Sequence, residues 1–199
     1  MANQETAYGL RPVGLVGSGA NSTGVTEYEI AAGVIDQAGA TSGGTTQALG
    51  VLTGVMYHDS VKKKPVFLNY WPGSNSVSVD TNHPVKAFVA DNPNQLFQVA
   101  SDASLTNRAT ALAGVFANAT LGTSARTGSD DTGRSNSALS VSSIATTATL
   151  PLRIVGIVDD EANSDFSAAG IPLLVRLNAH FNAATRRFDS QTTADSTGI

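Results

Sequence analysis

The sequence predicts an all-β fold, a single β-barrel or β-sandwich of about eight short strands. An extended N-terminal arm precedes the strands. Three observations carry this reading. Short alternating or continuous apolar runs recur between Gly, Pro, Asn and Asp turn signals, as in Ser76-Val77-Ser78-Val79-Asp80 followed by Thr81-Asn82. Charged residues are 14% of the 199, too few for a helical bundle, which draws on Leu, Glu, Lys and Arg. The 41% hydrophobic share is too high for a disordered chain, and the length suits one undivided β domain.

The arm covers residues 1–24. Gly9, Gly14, Gly17, Gly19 and Gly24, with Pro12, exclude a helix there. Tyr8, Leu10, Val13, Leu15 and Val16 are too apolar for a solvated tail, so the arm takes its burial from another surface, either its own domain or a neighbouring chain. The domain runs over 25–183. Thr26 to Ile30 alternates, with Tyr28 and Ile30 on one face and Glu27 and Glu29 on the other. Leu49 to Tyr57 reads as a strand with Val51, Val55 and Tyr57 on one face and a bulge at Gly54. Val66 to Trp71 is a continuous run stopped by Pro72-Gly73. Val85 to Ala90 and Gln95 to Ala100 flank the turn Asp91-Asn92-Pro93-Asn94 and read as a hairpin.

Over 102–117, Leu105, Ala109, Leu112 and Phe116 recur at helical spacing, with Asp102 or Ser104 as cap. This segment reads as a short helix, with a strand around 113–116 as its alternative. Residues 122–137 hold almost no large apolar side chain and form a long surface loop. Ala138 to Ile144 is a weak strand. Leu150 to Val158 is a strong one, with Leu152, Ile154 and Gly156 facing one way and Arg153, Val155 and Ile157 the other. In the last strand, Pro172 to Phe181, Leu173, Val175, Leu177, Ala179 and Phe181 share the core face; Arg176, Asn178 and His180 lie opposite. Residues 184–199 are a polar tail.

Composition and motifs narrow the function. A net charge of −4 gives no general attraction to nucleic acid or anionic membrane, and no 18-residue apolar run exists. The opening Met1-Ala2-Asn3-Gln4-Glu5 has neither basic nor apolar leader character, so no secretory signal is expected. With no cysteine there is no disulfide, thiolate nucleophile or Cys-type zinc site. His58, His83 and His180 lack the partners of a triad. Asp159, Glu161, Asn163 and Asp165 open like a calcium loop, but Ser164 stands where the turn Gly belongs and Gly170 where the bidentate Glu belongs. The glycines at 14–24 match no phosphate loop, and Lys62-Lys63-Lys64 reads as a solvated turn that could meet an acidic partner. Tyr57, Tyr70 and Trp71 could form a carbohydrate-stacking platform, though they suit a core or interface better. No enzyme, cofactor or metal is expected.

Several segments resemble a group of small virion structural proteins of tailed bacteriophages. These are Met1-Ala2-Asn3, Thr6 to Gly14, Glu27-Tyr28-x-Ile30-Ala31, Ala87-Phe88-Val89-x-Asp91-Asn92-Pro93-x-Gln95-x-Phe97, Leu152 to Gly156, and Leu174-Val175-x-Leu177-Asn178-x-His180-Phe181. The resemblance spans most of the chain, least at 33–47 and 122–137. It implies a subunit that decorates or cements the capsid exterior after assembly in the host bacterial cytoplasm. Its partners would be the major capsid protein and itself, as a homotrimer, with neither nucleic acid nor membrane. Tyr8, Leu10, Arg11, Pro12 and Val13 are the expected arm anchors, Tyr and Arg being frequent hot-spot residues. A tail- or fibre-associated role and a carbohydrate-binding module are the alternatives.

Overall fold

The computed structural model describes residues 9–14, 24–30, 48–73, 76–113, 115–122, 128–129, 132–147, 150–178 and 180. Its strands are β1 (Arg11–Pro12), β2 (Thr26–Ile30), β3 (Val51–Asp59), β4 (Lys64–Leu68), β5 (Val85–Ala90), β6 (Phe97–Ala100), β7 (Asn118–Ala119), β8 (Gly128–Ser129), β9 (Arg134–Ser135), β10 (Leu152–Ile157) and β11 (Pro172–Leu177), with one helix, α1 (Arg108–Ala113). They form two antiparallel sheets packed together, and β8 and β9 make a separate small ribbon within the long polar loop. The fold is therefore all-β, as the composition and turn spacing predict.

The first sheet has the order β1-β6-β11-β10-β7, the second β2-β5-β3-β4. Each owns an apolar cluster. Phe97, Val99, Leu139, Leu152, Ile154, Ile171, Leu173 and Val175 fill the first, each at most 1% exposed. Val55, Tyr57 and Val85 centre the second, with Ile30, Leu52, Trp71, Val77 and Val79 packed around them. Ala90 of the second sheet belongs to the first cluster, and Val51 packs on it. The two sheets meet there.

Residues 85–100 are not a hairpin. β5 pairs with β2 and β3, whereas β6 pairs with β1 and β11. Asp91 to Leu96 carries the chain from one sheet to the other. Alternation in both strands is satisfied because each finds a different core.

Two bulges move residues across the sheets. In β3 the register shifts between Leu52 and Gly54. The predicted bulge is present, and it places Leu52, not Val51, on the face of Val55 and Tyr57. In β10 the register shifts between Ile154 and Gly156, so Ile157 pairs with Leu173 and joins the core face of Leu152 and Ile154. One extra residue inverts the alternation beyond it.

Three other expectations change. The helix spans only Arg108–Ala113 and follows Asn107, whose carbonyl accepts from the Ala111 amide at 3.0 Å. Neither Asp102 nor Ser104 caps it: the Asp102 carboxylate accepts from the Val141 amide, and Thr106 has a left-handed φ of 67° that bars a helix from starting earlier. Leu105 is buried, but Ala109 is exposed and Phe116 is 65% exposed with φ 68°, so the four-residue stripe is not one face. Residues 138–144 are not a strand: Val141–Ser143 is a 3-10 turn. The Ser143 hydroxyl donates to the Ser140 carbonyl at 2.6 Å and accepts from the Thr120 amide at 2.9 Å, local bonding that outcompetes a ladder. Ser76 to Asp80 forms only one bridge, Val79 to Asp59.

Gly50 sits where the sheets meet. A Cβ there would lie 2.3 Å from the Ala90 carbonyl oxygen. Gly50→Ala must move backbone rather than a flexible side chain, and is expected to cost about 1–3 kcal/mol. Urea unfolding of the variant measures it; an unchanged midpoint would show that the junction yields.

Candidate functional site

The arm docks on its own domain. Gly9 donates its amide to the Ser137 carbonyl at 2.6 Å, and Val13 donates to the Leu96 carbonyl at 2.9 Å. Arg11 pairs with Gln98 and Pro12 with Phe97, making β1 the edge of the first sheet. Proline is tolerated at such an edge because it has no ladder amide to give. The Gln95 side-chain amide donates to the Gly14 carbonyl at 2.7 Å and locks the far end. Leu10 packs against the first cluster, Pro12 is half-buried, and Arg11 and Val13 are exposed. Tyr8 lies outside the described residues. Of the predicted anchors, Leu10 and Pro12 thus serve the domain itself, while Arg11 and Val13 point outward.

The corner between the sheets carries a polar network that the sequence reading missed. Asp91 is 6% exposed and accepts from Thr26 Oγ1 at 2.9 Å and from the Tyr28 hydroxyl at 2.6 Å. Close to it stands His180, 1% exposed, on a segment bridged to Ala48. His180 is therefore not a surface residue, although strand alternation placed it opposite the core face. The bridge to Ala48 turns His180 inward, and polarity alone signalled no burial. The Asp-Asn-Pro-Asn turn was the visible hint of a corner. Its Asn92 carbonyl takes the Gln95 amide at 3.0 Å.

Burial pushes the His180 imidazole below its ordinary range, and the Asp91 charge opposes this without cancelling it. Because the folded-state value is the lower one, stability is complete above the unfolded value near 6.5 and falls as pH drops through the folded value. The thermal midpoint is expected to decline between pH 7.5 and 5, and His180→Gln to flatten that slope. A slope unchanged in the variant would assign it elsewhere. The carboxylates held low by hydrogen bonds titrate below this window: Asp59 by the Lys62 amide, Asp80 by the Asn82 amide, Asp159 by Arg108 and Asp165 by Ser167.

The other candidates resolve into local structure. His58 stacks on His83 with ring centroids 4.2 Å apart, and His83 Nδ1 lies 3.5 Å from Asp80. A cavity of about 460 Å³ opens beside this turn, lined by Glu29, Ile30, Asn82 and His83 among others. In the acidic stretch, Asp160 accepts from the Ala162 amide and Asn163, Asp165 from Ser167, and Asp159 pairs with Arg108. The Asp160 and Asp165 oxygens serve their own turns, Asp159 serves α1, and no metal-holding group of three ligands occurs among the described residues. Trp71 meets Tyr57 edge-on at 5.9 Å; Tyr57 is buried in the second cluster and Trp71 is half-buried against it. Lys62 and Lys63 occupy an exposed turn, with Lys63 at φ 53°. No helix of the described residues is long and apolar enough to cross a membrane.

The outer face of the first sheet is different in kind. Arg153 of β10 lies directly opposite Arg176 of β11, and Gln98 and Leu174 continue that face toward Arg11. No family model, curated protein or solved structure matches the chain.

Proposed function

We propose that the chain is a non-enzymatic virion structural protein that decorates a tailed-phage capsid. It cements the shell by bridging neighbouring major capsid subunits from outside, as a homotrimer. The observation that carries this reading is the arm: a two-residue edge strand seated on the domain while Arg11 and Val13 remain exposed. An arm anchored in this way can engage a neighbour without unfolding its own domain. The resemblance of the arm and the corner segment to phage virion proteins supports the same role. Repetition on a symmetric shell would supply avidity, so each contact can be modest.

The test is co-sedimentation with empty capsids, alongside the solution mass of the purified chain. The expected results are a mass three times the 20.4 kDa monomer and saturable binding to shells. Arg11→Glu with Val13→Asp, both at exposed positions, should weaken shell binding at least tenfold. A native chain that ignores shells would end the capsid reading.

A further inference from the structure

We propose that the outer face of the first sheet is a docking surface for a carboxylate-bearing segment of a protein partner, read by Arg153, Arg176 and Arg11. This rests on the capsid reading only for the partner's identity, the major capsid subunit.

The chain is acidic overall, and three other basic side chains stand against carboxylates, Lys86 with Glu27 at 2.8 Å, Arg108 with Asp159, and Lys62, loosely, with Asp59 at 3.9 Å, whereas Lys63, Lys64 and Arg134 are exposed and form no such ion pair among the described residues. Arg153 and Arg176 have no carboxylate partner among the described residues. Instead they are direct cross-strand neighbours in register. Like charges so placed destabilise a sheet. Both are half-buried, and on these strands the opposite faces of Leu152, Ile154, Val175 and Leu177 form the core.

Register extends the face. Leu174, two residues before Arg176, pairs with Gln98, and Gln98 pairs with Arg11. Directly paired residues share a face, so three guanidinium groups and the Gln98 amide line one surface with Leu174 among them. Each guanidinium offers a planar fork that fits a carboxylate with two parallel hydrogen bonds. The arrangement has an apolar middle and a basic margin. Its complement is an extended or loop segment carrying Asp or Glu around an apolar residue. Nucleic acid fits less well, because three arginines against a net charge of −4 give a local patch and not a basic field.

The full-length chain with Arg153→Gln and Arg176→Gln, and separately with both changed to Glu, tests this. The expected result is shell affinity lowered about tenfold by the Gln pair and on the order of 100-fold by the Glu pair. The thermal midpoint of the Gln variant should be equal to or above that of the native chain, because repulsion is relieved. A merely structural role for the two arginines would move it down. Short polyglutamate peptides, followed by amide NMR shifts, should perturb Gln98, Arg153, Leu174 and Arg176 in the native chain and not in the Glu variant. Unchanged shell binding by the Glu variant overturns the inference and leaves the capsid reading standing. Peptide shifts at these residues in a chain that ignores shells keep the surface and remove the capsid reading. Preference for an oligonucleotide over polyglutamate, or loss of solution mass in the Glu variant, assigns the face to nucleic acid or to a second copy and overturns the inference.

Discussion

Phe97→Ala is expected to lower the unfolding free energy by about 3–5 kcal/mol, the usual range for emptying a well-packed aromatic site. Phe97 is 1% exposed and sits at the centre of the first cluster. It pairs with Val175 on one side and Pro12 on the other, so the same ring supports the central strand and the arm. The variant should therefore lose the arm as well as stability. Hydrogen exchange at the Val13 amide, which bonds the Leu96 carbonyl, would report the arm directly. Equilibrium unfolding would report the total. A loss below about 1 kcal/mol would mean that the cluster collapses into the gap.

Asp91→Ala is the second large effect, on the order of 2–4 kcal/mol, because it removes two buried side-chain hydrogen bonds beside a buried imidazole. Thr26 and Tyr28 each lose the hydrogen bond to Asp91, and His180 loses the carboxylate that favours its charged form. The damage should be local to the corner. β2 has no other strand partner than β5 among the described residues, and Asp91 is the residue that follows β5. Urea unfolding gives the magnitude. Faster amide exchange in β2 than in β10 and β11 would locate it. Asp91→Asn should cost less than Asp91→Ala, since one acceptor oxygen remains. Equal losses for the two variants would mean that charge, not hydrogen bonding, holds the corner.

The fold class was legible in the sequence because alternation reports which residues share a face. Tyr28 with Ile30, Val55 with Tyr57, and Leu173 with Val175 and Leu177 all behave as read. Alternation does not report which strand lies alongside. The turn after Ala90 is equally compatible with a hairpin and with a change of sheet, and only the strand partners decide it, β2 and β3 for β5 against β1 and β11 for β6. The faces of Val51 and Ile157 were misread for a second reason. A bulge adds one residue, and every position beyond it changes side. Gly54 pointed to the first bulge; Gly156 stands in the same place at the second but was read as a core-face position of a regular strand.

The site was legible only in fragments. Leu10 to Val13 stood out as an apolar stretch that must be covered, but composition could not say that Leu10 and Pro12 turn inward and Arg11 outward. Asp91 and His180 are far apart in the chain, and each alone looks like an ordinary polar residue. Arg153 and Arg176 read as solvent-side residues of two strands. Their opposition depends on the register of β10 against β11, which the bulge at Val155 helps to set.

The strand orders also bear on how the chain folds as it is made. The second sheet uses residues 26–90 alone and can close once these have left the ribosome. The first cannot: β6 waits for β11, and the arm strand waits for β6. During synthesis Phe97 and Val99 remain uncovered until residue 177 has emerged, a long-range closure that is slow and open to misassociation. The edge strand β1, with two paired residues, would be the last piece set in place. Folding of the domain and readiness of its outward arm would then be reached in the same final step.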